Sequence, residues 1–208
     1  MLQKNNDQQQ QLTQGQANMM QSNTQFGGYE LFHIDDALGA LVVHMEQYNI
    51  YKDHVQCQTL APMLQRQHMF ITQLYNTVLD TLKSGKDPAV KTQTYMMQEQ
   101  NETAYGMSKS APKKPIQSLN EINDERISTF MLDHLKSLAS HFTMTAIEAT
   151  NPVIRRIFAD SVPNVIEMAY ELYLYQNKRG HYEIAQLDQQ QTEIMKQKFA
   201  PIDQHMQH

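Results

Sequence analysis

The stretch NDERISTFMLDHLKSLASHFTMTAIEATNPVIRRIFADSVPNVIEMAYELYLYQNKRG, residues 123–180, decides the fold of this 208-residue chain. Apolar residues recur every three or four positions on both sides of Asn151-Pro152, which is the spacing of one apolar helix face. Asn123-Asp124 is a helix N-cap signal, and proline is favoured at the first position of a helix. Lys178-Arg179-Gly180 is typical of a helix C-terminus. The stretch therefore predicts a hairpin of two long helices, the second of them kinked at Pro163.

The apolar stripes of this hairpin predict which side chains form its core. We expect the core positions to be Ile127, Met131, Leu135, Leu138, Phe142, Ala146 and Ala149, followed by Ile154, Ile157, Phe158, Val165, Met168, Ala169, Leu172 and Tyr175. Leu138 is predicted to lie at the centre, because it has apolar neighbours three and four residues away on either side.

A second pair of amphipathic helices is predicted upstream. The first begins at an N-cap, Asp35-Asp36, and the second follows Pro62 and ends at Gly85. Their predicted core positions are Ile34, Leu38, Leu41, Met45, Tyr48 and Val55, then Leu64, Gln67, Ile71, Leu74, Val78 and Leu82. Two hairpins joined by a long connection predict an all-α four-helix bundle of ferritin-like connectivity.

Composition divides the rest of the chain. Residues 1–28 are rich in glutamine and asparagine and predict a disordered arm. We assign residues 29–84 to the first hairpin, 85–122 to a crossover with one short helix near residues 90–99, and 123–200 to the second hairpin with a further helix within residues 183–199. Residues 201–208 form a tail.

Charge and apolar patterning exclude several classes of protein. The formal net charge is −5, so no broad basic face for a nucleic acid is expected. No apolar run approaches the roughly 18 residues of a membrane span, and the N-terminus lacks the apolar segment of a signal peptide. The single cysteine, Cys57, is predicted to be a free thiol on a helix, with no neighbour in the sequence that lowers its pKa.

Four pieces of the second hairpin carry a family resemblance. These pieces are Asn123-Asp-Glu-Arg-Ile, Leu132-Asp-His-Leu-Lys-Ser-Leu-Ala, Ala149-Thr-Asn-Pro-Val-Ile-Arg and Asn177-Lys-Arg-Gly-His-Tyr. In this order and spacing they resemble the spore coat protein F family of endospore-forming bacteria, over about residues 123–185. One position departs from the family pattern, since His181 follows Gly180 where an aromatic residue such as tryptophan or tyrosine is expected.

The resemblance implies a ferritin-like helical fold, a place in or under the spore coat after synthesis in the mother-cell cytoplasm, and no catalytic residues. The partners it implies are other coat proteins, in a homo- or hetero-oligomer. Within such a coat, the glutamine-rich arm is either an acyl donor for glutamine–lysine isopeptide bonds or a solubilising tail. Both interpretations stay open at this point.

Ferritin-like bundles often hold two metal ions through glutamates and Glu-x-x-His pairs that point into the core. Here Glu46 falls on the solvent side of its helix, and Gln65-x-x-His68 has glutamine in place of the carboxylate. Glu167-x-x-Tyr170 lacks the histidine, and Glu167 points away from the apolar face. Glu30-x-x-His33 precedes the predicted N-cap and so lies outside the helix. The sequence therefore predicts no dinuclear metal site and no cofactor. Because the resemblance also implies no catalytic residue, the leading hypothesis is a non-enzymatic coat protein.

One set of residues keeps a metal or redox function open as the alternative. His134, His141 and Glu148 follow each other at intervals of seven on one edge of the third helix, and His68 lies on the second. Successive members are roughly 10 Å apart along the axis, too far to chelate one ion without other helices. Ordinary polar residues at the boundary of the apolar face are the preferred interpretation.

Overall fold

A computed structural model describes residues 26–201. Its α-helices are α1 (Gly28–Tyr51), α2 (Leu60–Ser84), α3 (Asp124–Glu148), α4 (Pro152–Lys178) and α5 (Gln189–Lys196), with a 3-10 turn at Leu119–Glu121. The β-type pairing in this range is one bridge between Gly106 and Ile184. The prediction of an all-α bundle is confirmed. Residues 1–25 of the predicted arm and residues 202–208 of the tail lie outside the described residues.

Local capping fixes where α3 and α4 begin, as predicted. The Asn123 side chain accepts a hydrogen bond from the N–H of Arg126 at 3.0 Å. Asn151 does the same for the N–H groups of Val153 and Ile154, at 2.9 and 3.2 Å. Pro152 is the first residue of α4. These bonds satisfy N–H groups that a helix start otherwise leaves without partners.

The start of α1 differs from the prediction. α1 begins at Gly28, well before Asp35-Asp36, because the Glu30 carboxylate accepts the Gly27 N–H at 3.1 Å and caps the helix there. The buried face of the longer helix is Glu30, Ile34, Ala37, Leu41, His44, Tyr48 and Tyr51. Ala37 and His44 therefore occupy the core positions predicted for Leu38 and Met45, which are half-buried.

Antiparallel packing brings the four long helices around one core. α1 packs on α2 and α3, and α4 packs on α3 and α2, with the most extensive contact between α3 and α4. Leu138 has no exposed surface, as predicted, and Leu41, Ile71 and Phe158 are also fully buried. Burial of each such side chain is worth about 1.5–3 kcal/mol relative to exposure.

The crossover contains an extended segment, residues 91–108, that we call the strap. A short helix was predicted near residues 90–99, and this prediction is wrong. Side chains of α4 bind the strap backbone instead: Asn164 accepts the Tyr95 N–H at 2.7 Å, and Asn177 pairs with both the N–H and the C=O of Ala104. A helix would place these backbone groups in its own hydrogen bonds, so the contacts to α4 favour the extended form.

The last helix is shorter than predicted. The Ile184 carbonyl accepts the Gly106 N–H of the strap at 2.9 Å, which keeps this part of the chain out of a helix. α5 starts only at Gln189, where the Asp188 side chain accepts the N–H of Gln191 at 2.7 Å. No helix within residues 26–201 is both long enough and apolar enough to cross a membrane.

Candidate functional site

Polar side chains lie inside the bundle at positions where the helical period calls for apolar ones. Glu30, His44, Gln67 and Glu171 each have at most 1% of their surface exposed. Gln67 was predicted to lie on the core face. His44 and Glu171 were not identified from the sequence, because a polar residue on an apolar face carries no signal of its own burial.

Glu171 of α4 is the centre of the largest buried network. Its carboxylate accepts a hydrogen bond from Arg66 of α2 at 2.6 Å and from the backbone N–H of Gln98 at 2.8 Å. The Tyr95 hydroxyl also donates to it, and the Gln67 amide lies 3.5 Å away. Buried carboxylates are costly unless paired, and this one is paired with a cation and several donors. Glu171 thus connects α4, α2 and the strap.

Gln67 extends this network to α1. Its amide oxygen accepts the Tyr48 hydroxyl at 2.7 Å, and its amide nitrogen donates to the Met168 carbonyl at 3.2 Å. Burial raises the pKa of the Tyr48 hydroxyl well above its usual value, with the nearby Tyr95, Tyr51 and Glu171 adding to the effect. Tyr48 therefore stays a neutral hydrogen-bond donor at neutral pH.

Glu30 forms a second buried connection at the other end of α1. Besides capping Gly27, its carboxylate accepts the Thr150 hydroxyl at 2.6 Å and the Asn151 N–H at 2.9 Å. The Glu30-x-x-His33 pair thus lies inside α1, and the prediction that it lies outside the helix is wrong. Three donors engage the Glu30 carboxylate, and the His33 ring packs edge-on against Tyr29.

Three histidines from three helices approach each other in the middle of the bundle. The ring centroids of His44 and His134 are 4.8 Å apart, and Tyr48 lies 4.3 Å from His44 and 6.2 Å from His68. Burial, and then the proximity of His134 and His68, lower the pKa of His44 to about 3. Burial is also the main cause that lowers the pKa values of His134 and His68. All three are therefore neutral imidazoles at pH 7.

The structure separates the residues of the alternative metal hypothesis. His68 and His134 are half-buried near His44, whereas His141 is exposed and Glu148 is half-buried. Within residues 26–201, no group of three or more His, Cys, Asp or Glu side chains is placed to share one metal ion. Glu46 is exposed as predicted, whereas Glu167, which was predicted to face solvent, is half-buried.

Cys57 has a more activating environment than the sequence indicates. Its Sγ atom accepts a hydrogen bond from the Arg179 guanidinium at 3.4 Å. Burial raises the pKa of this thiol, but hydrogen bonds from Tyr175 and from the N–H groups of Leu60 and Thr59, together with Arg179, outweigh burial and bring it to about 7. Cys57 lies in the connection between α1 and α2, so the prediction that it lies on a helix is wrong. The sequence around Cys57 did not indicate the lowered pKa, because Tyr175 and Arg179 are distant in the sequence.

An open groove of about 660 Å³ lies between α2 and residues 88–90. His68 and Asp80 contribute ionisable groups to its lining, which is otherwise apolar or uncharged, with Met69 and Thr72 among its side chains. The two ionisable residues are about 18 Å apart along α2 at 1.5 Å per residue, so they cannot act on the same atom.

Comparison with known proteins identifies the family. A family model described as the Coat F domain matches residues 123–186. Spore coat protein F-like protein YhcQ from Bacillus subtilis (strain 168) is 43% identical over 180 residues, which is 86% of this chain and 83% of that protein. The chain belongs to the spore coat protein F-like family. The resemblance read from residues 123–185 is confirmed.

The family's fold is also found in a solved structure. A crystal structure from Bacillus halodurans C-125, of a protein described as a candidate spore coat protein, matches this chain with a TM-score of 0.57 at 12% identity. The match covers 78% of this chain and 95% of that one. At this identity the likeness concerns the fold alone. This spore coat protein F-like chain therefore shares its helical fold with a protein of known structure.

Proposed function

We propose that this protein is a non-enzymatic structural component of the bacterial endospore coat, which assembles through its helical bundle with other coat proteins or with copies of itself. The observation that carries the proposal is the 43% identity with spore coat protein F-like protein YhcQ along 86% of the chain. On this proposal the protein is made in the mother-cell cytoplasm and is deposited on the developing spore.

The interior of the bundle supports a structural role. Glu30 and Glu171 are each engaged by several donors that come from distant parts of the chain. A carboxylate saturated in this way holds segments together, whereas a general acid or base needs free access to a substrate proton. The groove along α2 likewise lacks a pair of groups close enough to share one reacting atom.

The outer surface supports assembly. Large apolar side chains are exposed on the outer faces of both hairpins and on α5, and side chains of this kind are enriched where proteins meet. Those exposed by half or more on these helices are Tyr29, Phe32, Ile50, Met69, Met144, Ile147, Ile166, Ile194 and Met195.

The proposal is tested by following a fluorescent fusion of the full chain through sporulation. We expect the signal to form a cap or ring around the forespore and to stay with purified spores, while the unfused fluorescent protein remains diffuse in the mother cell. A fusion that stays diffuse, although intact on a gel, would contradict the proposed location.

Elemental analysis of the purified protein separates a metal-free bundle from the alternative, a di-metal or redox protein of ferritin-like fold. We propose the metal-free form, since His68, His134, His141 and Glu148 are not gathered around one point. Near-stoichiometric iron or manganese that is lost on replacing these four residues by alanine would establish the alternative.

A further inference from the structure

His44 is an unusual core residue because both of its ring nitrogens are buried without a hydrogen-bond partner. The side chain lies in the middle of α1 and has no exposed surface. A neutral imidazole carries one donor and one acceptor, so leaving both unpaired is costly, and a protonated ring with two unpaired donors is costlier still.

The groups that face His44 come from each helix packed against it. α3 contributes His134, whose ring lies edge-on and hydrogen-bonds the backbone of Ala40. α2 contributes His68, and α1 itself contributes the Tyr48 ring. The charged or titratable groups that act on these two histidines are Lys52, on His68, and His141, on His134.

Among residues 26–201, no carboxylate acts on His44 to compensate a positive charge there. Glu171 acts on the neighbouring Tyr48, but its oxygens are already engaged by Arg66, Tyr95 and the Gln98 N–H. A proton on His44 therefore creates a buried cation beside other histidines, and the protein relieves it by moving the ring into water. A proton on the half-buried His134 or His68 adds positive charge next to this ring.

We propose that the cluster of His44, His134 and His68 is a pH-sensitive switch, which holds α1 against α2 and α3 at neutral pH and releases α1 in mild acid. α1 is the element that moves, because it carries the fully buried member of the cluster. α3 and α4 share the most extensive helix contact and stay together. Release exposes the apolar face of α1, including Ile34 and Leu41, to solvent or to a neighbouring molecule.

The sign of the effect follows from the pKa values. In the folded state the pKa of His44 is lowered from 6.5 to about 3, so the closed form disfavours the proton. The contribution of His44 to the stability of the closed form is fully present above pH 6.5, and it is lost as the pH falls towards 3. At pH 5 these two values correspond to a roughly thirtyfold rise in the opening equilibrium from His44 alone. The pKa values of His134 and His68 are also lowered, so their contributions to stability fall with pH in the same direction.

Hydrogen–deuterium exchange of the full chain, read by mass spectrometry and corrected for the intrinsic effect of pH, tests the switch. Between pH 7 and pH 5 we expect opening of α1 peptides to rise about thirtyfold or more, and opening of α4 peptides to change by less than about threefold. In His44→Leu the rise in α1 should be about thirtyfold smaller than in the natural protein.

Two further variants complete the test. His141→Gln, at an exposed position of α3, should keep nearly all of the natural response, because His141 acts on His134 and not directly on His44. His134→Gln, at a half-buried position, should reduce it and serves if His44→Leu does not fold. Equal acid responses of α1 and α4 would overturn the proposal, because the protein would then unfold as a whole. A natural response in both His44→Leu and His134→Gln would also overturn it.

Discussion

Replacing Glu171 by leucine is the sharpest test of how the bundle is held together. The carboxylate has no exposed surface, and it accepts hydrogen bonds from Arg66, Tyr95 and the Gln98 N–H. Removing it leaves the Arg66 guanidinium, which is 25% exposed, without its carboxylate partner. Breaking a buried ion pair costs about 3–5 kcal/mol, and the partial exposure of Arg66 places the expected loss near about 3 kcal/mol.

The opposite replacement is expected to cost less. In Arg66→Met the Glu171 carboxylate keeps the Tyr95 and Gln98 donors and the nearby Gln67 amide, and methionine keeps much of the arginine stem. The buried carboxylate then loses its cation but keeps these donors, so we expect a loss of about 2 kcal/mol, below the usual cost of breaking a buried ion pair. The double variant should be more stable than Glu171→Leu alone, because no unpaired guanidinium remains in it.

Urea unfolding at pH 7, followed by the far-ultraviolet circular dichroism of the helices, measures all three variants. With a slope of about 2 kcal/mol per molar urea, Glu171→Leu should lower the midpoint by about 1.5 M and Arg66→Met by about 1 M or less. The reasoning is refuted if Arg66→Met is as costly as Glu171→Leu, or if the double variant is the least stable of the three.

In urea unfolding, Glu30→Ala should cost about 3 kcal/mol because it removes three hydrogen bonds from a buried carboxylate, whereas the exposed control Glu46→Ala should cost less than about 0.5. Leu138→Asp should leave the chain without a cooperative unfolding transition, because it buries an unpaired carboxylate at a fully buried position, at a cost of several kcal/mol against a total of about 5–15. Alkylation of Cys57 should be half-maximal near pH 7 and shift to higher pH in Arg179→Gln, so a profile unaffected by that change would contradict the role of the guanidinium.

Local signals explain why the α3–α4 hairpin could be predicted. The Asn123 and Asn151 caps lie within three residues of the N–H groups that they accept, so the information is contiguous in the sequence. The start of α1 could not be predicted in the same way. Besides the local cap at Gly27, its Glu30 carboxylate depends on Thr150, which is 120 residues away.

The features of the interior that the sequence does not predict also depend on residues far apart in the chain. The strap stays extended through bonds to α4 that span 69 to 73 residues, and Cys57 meets Arg179 across 122 residues. His44 and Glu171 follow the core period, but the period does not distinguish a buried polar side chain from a polar interruption of an apolar stripe. Their burial therefore follows only from how the helices pack together.

The strap is held to α4 largely through its main-chain atoms, and this has an evolutionary consequence. The Asn164 and Asn177 amides recognise backbone groups that every residue except proline offers in full. The exposed side chains of the strap, such as Met96, Tyr105 and Met107, are free to vary without disturbing the attachment of the strap to α4. Relatives that keep the two asparagines can thus diversify the chemistry of this surface while inheriting the same fold, and new binding specificities can arise there at little cost in stability.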